Sequence, residues 1–564
     1  MLPFINQKRI VIPIVLGFVL FFGIFIRFYN LNQIPPGVWY DEAYNGLDAI
    51  KANETSEYQI FYADNYGREG LFINLIAFSF KIFGTDTASL RFPSALFGSL
   101  ALLGFYFLCR KLKLSQLVSL MGVFILTSSF WHLNFSRISF HAIMIPALII
   151  WTLYFFFSGI EKNKLKYVQK TNASSLKYFL FSGLILGLGL HSYISFRVAP
   201  LIFLCLAICL FLFTKNFWRN YRQPILAFLL GALITAGPLL LHFFQNPDNF
   251  TGRTDAISIS KNPEAGALIS LTKSASFHLS SLLFAGDPNQ RHNHYSQPLV
   301  PLAWSLLLMI GFWLSAKNLL STFLQQIKLW QKEKNFFRKI KINPMFFASI
   351  TAQVCFWLML LPGIITIEEP PHTLQIIGII PAVFLMIVIA ISYLEKIYLK
   401  LKKSPLRQWK NIRWRILQFS FVGILSITIL TGFSQIYTYF QIWAKDPLTQ
   451  KSFEQDQAAL GSIINSLPLK ENNYLIVSEN KQISEDYKSF NDKTVEFTGY
   501  PKIKNYLIHP TFTGLSAINC TESQIIFQED NSWLREQIKD KCPNLSPQKI
   551  DAFSDGKYYY WIMN

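Results

Sequence analysis

The chain has 564 residues, of which 51% are hydrophobic, 16% are aromatic and only 15% are charged, and its mean hydropathy is +0.30. Soluble domains carry about 25% charged residues, so this composition excludes an ordinary soluble protein. The formal net charge of +19 is spread over short Lys and Arg clusters between apolar runs, which argues against a nucleic-acid-binding face and favours membrane topology.

The sequence contains about eleven candidate membrane spans, since crossing about 30 Å of hydrocarbon takes about 20 apolar residues. They lie at residues 10–29, 92–109, 114–131, 140–157, 178–190, 194–213, 224–244, 299–314, 345–367, 373–394 and 416–437. The first span follows Lys8 and Arg9 as a signal peptide would, but it is long and lacks a small-residue cleavage site. We therefore expect an uncleaved anchor.

The charges of the loops predict the orientation of these spans. The loops near residues 110–113, 162–170, 215–222, 328–341 and 400–415 are basic, whereas those at 41–86, 131–137, 246–297 and 368–372 are acidic or mixed. Cytoplasmic loops accumulate Lys and Arg. We expect a multi-pass protein of the plasma or inner membrane, with a cytoplasmic N-terminus and an extracytoplasmic C-terminal segment.

The composition divides the chain into a membrane core at residues 1–440 and a polar domain at 441–564. The C-terminal part alternates helix-like sequence with short strand-like runs, which predicts a small α/β domain. Cys520 and Cys542 lie in this polar part. On the outer side they either form a disulfide or remain two thiols, and the sequence leaves both states open.

The first outer loop of the core, at residues 30–90, carries the most informative sequence. It contains PPGVWYDEAYNGLDAI at residues 35–50, where Asp41 and Glu42 follow two aromatic residues shortly after a span. A carboxylate held at the membrane boundary suits a general base. We interpret Asp48, Glu54 and Glu57 as solvated acids of the same loop.

The motif WYDEA at residues 39–43 resembles the WxDE signature of the family 39-like membrane glycosyltransferases, which include protein O-mannosyltransferases and the aminoarabinose transferases of lipid A. The likeness continues in order through GREGLFINLIAFSFKIFG at 67–84, SLRFPSALFG at 89–98, SRISFHAIMIP at 136–146 and further blocks at 187–200, 286–298 and 368–382. It covers residues 10–395. The sequence departs from the family at Gly70, where proline is frequent, so this turn is less restricted.

The resemblance implies an all-α polytopic membrane protein with the C-type glycosyltransferase fold and about eleven transmembrane helices. It also implies a polyprenyl or dolichyl phosphate sugar as donor, and the sequence itself has no P-loop and no convincing GxGxxG motif for a nucleotide sugar. The sugar stays open. The acceptor is a protein, a lipid or a glycan, and the only other partner expected is membrane lipid, with no nucleic acid.

The resemblance makes Asp41 the base of a single displacement with inversion. It adds Glu42 and Glu69 to an acidic cluster that orients the acceptor or holds a divalent cation, the only cofactor considered; metal dependence stays open. Arginine suits the leaving phosphate because its planar fork of donors matches phosphate oxygens. The arginines assigned to the donor phosphate are Arg91, Arg68, Arg137 and Arg197. Arg91 alternatively snorkels from a helix start, and Arg197 alternatively pairs with an acid or a carbonyl.

The second long outer loop, at residues 246–297, is a candidate lid over the pocket. Arg291, His292 and His294 are candidate substrate contacts, although plain loop polarity explains them nearly as well. The two histidines would face the same way on a strand, as metal ligands do, but no third ligand is identified. His372 stands at the outer mouth of a span, where interfacial anchoring is the alternative role.

Two other classes of protein compete with an enzyme. A membrane transporter or flippase of lipid-linked or sugar substrates would have a similar number of spans, but charges are sparse inside these spans and no paired repeat halves are evident. A binding or assembly protein with a membrane anchor needs only one span.

Overall fold

A computed structural model describes residues 2–169, 173–257, 267–333, 344–366, 370–403, 412–478, 482–483, 492–510, 518–551 and 559–564. This part of the chain is mostly helical. Its α-helices are α1 (Leu2–Phe28), α2 (Tyr40–Thr55), α3 (Gly70–Phe83), α4 (Thr87–Lys111), α5 (Gln116–Ser128), α6 (Phe130–Phe135), α7 (Met144–Gln169), α8 (Ala173–Gly189), α9 (Pro200–Phe213), α10 (Phe217–Gln245), α11 (Pro247–Ile257), α12 (Ala267–Ser281), α13 (Leu302–Glu333), α14 (Pro344–Ile364), α15 (Ile380–Lys403), α16 (Ile412–Tyr437), α17 (Pro447–Ser452), α18 (Gln455–Ser466), α19 (Lys493–Thr498) and α20 (Ser532–Lys541).

The strands of the described chain form two sheets. A short hairpin joins β1 (Phe61–Tyr62) to β2 (Arg68–Glu69) within the predicted loop at residues 30–90. The C-terminal sheet consists of β3 (Asn472–Val477), β4 (Leu507–Pro510), β5 (Ser523–Phe527), β6 (Pro547–Asp551) and β7 (Tyr559–Met563). The predicted loop at residues 30–90 is therefore largely structured, since it contains α2, the hairpin, α3 and the start of α4.

Nine helices of the described chain are apolar and long enough to cross a membrane, which makes this an integral membrane protein. They correspond to nine of the eleven predicted segments. The other two, at 114–131 and 178–190, form α5 with 13 residues and α8 with 17. The sequence did not predict α3, because its 14 residues, most of them apolar, are fewer than a span requires.

Small residues bring α8 and α10 together. A Cβ atom on Gly183 would collide with the carbonyl oxygen of Phe228, and one on Gly187 with that of Ala232. Gly231 of α10 lies as close to the backbone of α8. Apolar side chains gain little from leaving lipid for another helix, so membrane helices associate through such close backbone packing.

The C-terminal sheet has the strand order β4-β3-β5-β7-β6. Strand β3 is parallel to β4 and β5, and β7 is antiparallel to β5 and β6. Alternate residues of β3 point to opposite faces, so Leu475 packs in a core with α18 while Tyr474 and Ile476 pack in a second core with α20. This confirms the predicted small α/β domain.

A disulfide joins Cys520 to Cys542, with 5.3 Å between the Cα atoms. It links the segment before β5 to the end of α20, beside the second core of the domain. Of the two states that the sequence left open, the structure has the disulfide.

The chain folds into two compact units. The first unit comprises residues 1–29, 59–72 and 94–439, and the second comprises 30–58, 73–93 and 440–564. The second unit contains α2 and most of α3 together with residues 440–564, so it does not coincide with the predicted C-terminal domain alone.

Candidate active site

The first turn of α2 carries two of the predicted acids, Asp41 and Glu42. Carboxylates at this position are stabilised by the partial positive charge of a helix N-terminus. The indole Nε1 of Trp39 donates to Oδ2 of Asp41 at 3.2 Å, and the backbone N–H of Trp39 donates to Oε2 of Glu42 at 3.3 Å. Asp41 is half-buried, whereas Glu42 is completely buried. Asp41 is therefore the acid of this pair that retains an accessible surface.

Arg91 is occupied by acceptors of the protein itself. Its Nε donates to Oε1 of Glu42 and its NH2 donates to Oε2, both with 3.0 Å between nitrogen and oxygen. The other three N–H groups donate to the carbonyl oxygens of Leu31, Pro35 and Gly37 at 2.7–3.0 Å. A guanidinium has five N–H donors, and all five are used. This geometry does not support the predicted phosphate contact or the snorkelling alternative, because the side chain is completely buried and ties the loop before α2 to Glu42.

Glu69 and Arg197 lie together in the first unit. NH2 of Arg197 is 3.4 Å from Oε1 of the buried Glu69, and NH1 donates to the carbonyl oxygen of Phe250 at 2.8 Å. The guanidinium also lies over two aromatic rings, with its carbon 4.5 Å from the ring centre of Phe250 and 5.2 Å from that of Phe243. Arg197 thus pairs with an acid and a carbonyl, and Arg68, buried beside Glu69 on β2, belongs to the same region.

The acidic cluster implied by the resemblance stays a prediction. Asp41 and Glu42 belong to the second unit, whereas Glu69 belongs to the first. Within the described ranges, no group of three or more His, Cys, Asp or Glu side chains is placed to hold a metal ion. A divalent cation at this cluster therefore has no support from the described residues.

Arg137 caps the end of the first span. It is completely buried and donates to the backbone carbonyl oxygens of Ile26, Arg27 and Tyr29. The last carbonyls of a helix have no partner within the helix, so a cation there is stabilised by hydrogen bonds and by the helix dipole. This capping contact explains a positive charge at a predicted outer helix end, where the donor phosphate was the expected partner.

Arg27 and His132 form a buried contact that the sequence analysis missed. NH2 of Arg27 lies 2.8 Å from Nδ1 of His132, and NH1 donates to the carbonyl oxygen of Gly23 at 2.8 Å. Both side chains are completely buried. Because a guanidinium can only donate, Nδ1 of His132 accepts. The available signal was a charged residue in the last turn of an apolar span.

Asp287 organises residues 285–297, which the sequence predicts as part of the second long outer loop. Its Oδ2 is 3.0 Å from Nδ1 of His292 and accepts from the backbone N–H of Thr373 at 2.8 Å. The ring of His292 packs against that of His372, with 5.1 Å between centres, and the backbone N–H of His372 donates to Nε2 of His278 at 3.1 Å. The loop is therefore joined to the start of the tenth predicted span by buried hydrogen bonds.

The remaining candidates of this loop do not act as a pair. Residues 285–301 contain no strand, so His292 faces Asp287 while His294 stacks on Tyr295, with 4.6 Å between ring centres. The carbonyl oxygen of Arg291 accepts from Asn134 at 2.7 Å. The strand arrangement with both histidines on one face is therefore absent here, and a substrate contact of Arg291, His292 and His294 stays a prediction. Residues 368 and 369 of the predicted loop at 368–372 lie outside the described residues.

Burial raises the pKa of the Asp287 carboxyl, but several contacts outweigh that effect. The hydrogen bond and charge of His292, the N–H of Thr373 and the charge of His372 lower the pKa to about 2. The carboxylate is therefore charged at neutral pH, and a buried charge of this kind stabilises the groups arranged around it.

An apolar groove of about 520 Å³ lies in the first unit among α7, α8, α9 and α10. Its walls include Phe156, Phe179, Leu204, Phe228 and Leu233, and the other side chains that line it are almost all apolar. A groove of this chemistry accommodates hydrocarbon.

Comparison with known proteins agrees with the sequence resemblance. Residues 71–242 match the family model described as dolichyl-phosphate-mannose-protein mannosyltransferase. A search of curated proteins gave no match.

Two solved structures of one protein share the fold over nearly the full chain. ArnT from Cupriavidus metallidurans bound to undecaprenyl phosphate superposes with a TM-score of 0.52 at 12% identity, covering 99% of this chain and 98% of that one. Apo ArnT from the same organism gives 0.52 at 11% identity with the same coverage. The Archaeoglobus fulgidus oligosaccharyltransferase is more distant, with a TM-score of 0.44 at 15% identity and coverage of 88% and 62%. The chain therefore has the C-type fold of membrane glycosyltransferases, and residues 71–242 resemble the dolichyl-phosphate-mannose-protein mannosyltransferases, as the sequence predicted.

Proposed function

We propose that the chain is an integral membrane glycosyltransferase that moves a sugar from a polyprenyl or dolichyl phosphate to an acceptor hydroxyl on the extracytoplasmic face. The observation that carries this proposal is the state of Asp41: its carboxylate is half-buried at the start of α2 and oriented by Trp39. The neighbouring Glu42 is buried and bound by Arg91. Asp41 is thus held in place with accessible surface, as a general base requires.

The lipid nature of the donor is supported by two observations. The ArnT structure that shares this fold over 99% of the chain is bound to undecaprenyl phosphate. The groove among α7, α8, α9 and α10 is apolar and has about 520 Å³, which suits part of an isoprenoid chain. A donor anchored in this way needs no soluble nucleotide-binding motif.

Asp41 accepts the proton of the acceptor hydroxyl as the acceptor oxygen attacks the anomeric carbon. The bond between that carbon and the phosphate oxygen breaks, and the prenyl phosphate leaves with the electron pair. Attack opposite to the leaving group inverts the anomeric centre without a covalent enzyme intermediate. For the phosphate, Arg91 and Arg137 are poor candidates, because their donors hold several backbone carbonyls. Arg68 and Arg197 stay the proposed partners of the phosphate, and Arg197 would exchange its long contact with Glu69 for a phosphate oxygen while NH1 keeps the carbonyl oxygen of Phe250.

The proposed orientation has a cytoplasmic N-terminus and an extracytoplasmic C-terminal domain. Alternate loops are rich in Lys and Arg, as in cytoplasmic loops. The disulfide between Cys520 and Cys542 agrees with an oxidising compartment for the domain that contains it.

The substitution Asp41→Asn tests the proposal in membranes supplied with a polyprenyl-phosphate sugar. We expect sugar transfer to fall by at least about a hundredfold at unchanged protein abundance, because the amide cannot accept the proton. Asp64→Asn is the matched control, since Asp64 is an exposed acid of the same outer loop. Full transfer by Asp41→Asn would reject Asp41 as the base. If the substitution instead abolishes the flux of substrate across vesicles and leaves sugar transfer unchanged, the protein acts as a transporter.

A further inference from the structure

The second unit contains a pocket with a mixed polar and apolar lining that includes none of the acids discussed so far. Its volume is about 430 Å³, within the range of about 300–1,000 Å³ typical of small-molecule sites. The loop at residues 30–38 forms one wall, and residues of 440–462 with Thr498 form another. We call it the amide pocket, after Asn30, Asn32, Gln33, Gln450 and Gln455.

The lining of the amide pocket matches a neutral polyhydroxylated ligand. Side-chain amides both donate and accept hydrogen bonds, as sugar hydroxyls do. Thr87, Ser462 and Thr498 add hydroxyl groups, and no carboxylate occurs among the described lining residues. The one cation in this lining, Lys445, is exposed and donates to Oε1 of Gln441 at 2.7 Å. An anionic ligand would instead call for arginine pairs.

Two amides of the pocket have capacity for a ligand. The Oε1 atom of Gln455 is buried and has no hydrogen-bond partner within the described chain. The side chain of Gln450, counted over the same ranges, makes no hydrogen bond. A buried acceptor without a partner is costly, and a rotation of the Gln455 side chain towards the pocket would let a ligand hydroxyl satisfy it. Asn32 differs, because its Oδ1 accepts from the backbone N–H of Ala88 at 2.7 Å and thereby holds the wall.

The wall at residues 30–38 is fixed before any ligand binds. Arg91 donates to three of its carbonyls, and Oγ1 of Thr494 donates to the carbonyl oxygen of Val38 at 3.0 Å. Gly37 has a φ of +71°, and a Cβ there would collide with the carbonyl oxygen of Phe453. A preorganised site spends less free energy on ordering when it binds.

The same wall leads directly into the candidate base. Val38 lines the pocket, and Asp41 follows three residues later in the first turn of α2. A ligand in the amide pocket therefore lies against the segment that positions Asp41.

We propose that the amide pocket binds a neutral saccharide, which is the part of a glycan acceptor next to the hydroxyl that receives the new sugar. This inference rests on the proposed transferase function and names its acceptor class. It assigns acceptor recognition to the second unit, where the first outer loop and the C-terminal domain share one cavity.

Binding of saccharides to the purified full chain in detergent tests the inference. Saturation-transfer NMR with maltose, mannobiose and chitobiose, each at millimolar concentration, measures neutral ligands, and glucose 6-phosphate measures an anion. We expect a neutral saccharide to bind and Gln455→Leu to weaken it about three- to tenfold. Gln450→Leu should also weaken saccharide binding, and it provides an independent test if Gln455→Leu does not fold. Gln548→Leu, at an exposed position of β6, is the matched control and should bind as the unaltered chain does.

Asp41→Asn separates this inference from the proposed function. Because Asp41 does not line the pocket, this variant should lose transfer and keep saccharide binding. Saccharide binding in a chain whose transfer survives Asp41→Asn would reject only the base. Absence of binding by all three neutral saccharides, tighter binding of glucose 6-phosphate, or binding unchanged by both Gln variants would overturn the saccharide pocket, even with transfer intact.

Discussion

Arg91 holds Glu42 through two hydrogen bonds of 3.0 Å each, and neither side chain has any solvent-accessible surface. Glu42 in turn accepts from the backbone N–H of Trp39, the residue whose indole contacts Asp41. The ion pair therefore fixes the residue that orients the candidate base.

Removal of Arg91 should destabilise the protein more than removal of both partners. Arg91→Ala leaves the Glu42 carboxylate buried without a counter-ion, which costs about 3–5 kcal/mol. The double variant with Glu42→Ala should be less destabilised than Arg91→Ala alone, because it leaves no unpaired buried charge. Thermal unfolding of the purified chain in detergent measures the three values.

Arg91→Lys distinguishes this role from phosphate binding. Lysine keeps the charge but cannot bond both carboxylate oxygens and three carbonyls, so we expect a lower melting temperature and reduced transfer with any donor. A variant with an unchanged melting temperature and weaker affinity for the prenyl phosphate sugar would restore Arg91 to the donor site.

Asp287 should make the stability of the protein depend on pH in the acid range. Its folded pKa of about 2 is below the ordinary value of 3.8, so its contribution is complete above pH 4 and is lost as pH falls towards 2. His278, His292 and His372 are the titratable groups nearest to it. Asp287→Asn should cost about 2 kcal/mol at neutral pH.

The measurement is the melting temperature of both chains from pH 7 to pH 2. The difference between the unaltered chain and Asp287→Asn should narrow below pH 4, while an exposed control, Asp64→Asn, should keep a constant small difference. If the difference in melting temperature between the unaltered chain and Asp287→Asn is the same at pH 2.5 and pH 7, Asp287 stabilises the loop by packing and not by charge.

The disulfide should contribute to the stability of the C-terminal domain. Cys520 and Cys542 are 22 residues apart, and closing a loop of this length stabilises a fold by about 3 kcal/mol in the chain-entropy treatment. We expect the double variant with Cys520→Ala and Cys542→Ala to unfold at a lower temperature than the unaltered chain. Equal unfolding temperatures for the oxidised chain and this variant would remove that contribution.

The orientation of the spans predicts which sites an impermeable thiol reagent reaches in intact cells. A cysteine introduced at Ser532, an exposed position at the start of α20, should be labelled from outside. A tag before Met1 should be reached only after the membrane is permeabilised. If the tag before Met1 is reached from outside in intact cells, the first span places Asp41 on the cytoplasmic side, and the proposed extracytoplasmic reaction cannot take place there.

The sequence predicted best those features that depend on local composition. Runs such as residues 194–213 are apolar over the length of a span. Because hydrocarbon offers no hydrogen-bond partners, the backbone N–H and C=O groups of such a run must bond to each other, which favours a helix. In the polar part at residues 441–564, short strand-like runs alternate with helix-like sequence, and this pattern predicted the strands of the C-terminal domain. Segments shorter than a span, such as α3, gave no such signal because their length fits several structures.

The sequence did not predict which distant groups pair by hydrogen bonds. Arg91 and Glu42 are 49 residues apart, and Asp287 and Thr373 are 86 apart. Nothing local distinguishes an arginine that binds a phosphate from one that binds a carboxylate and carbonyls, because the same five donors serve both. For this reason, the structure shows Arg91 and Arg137 bound to acceptors of the protein, where the sequence analysis expected a donor phosphate.

The sequence by itself determined the membrane class, the approximate position of the helices, the polar C-terminal domain and the resemblance in the first outer loop, since these follow from hydropathy, charge and short motifs. Only the tertiary structure decided that Glu42 is occupied by Arg91, that Asp41 keeps an accessible surface, and that residues 30–38 share a pocket with the C-terminal domain. The reason is physical: burial and hydrogen bonding depend on which distant segments meet, and that is a property of the folded chain.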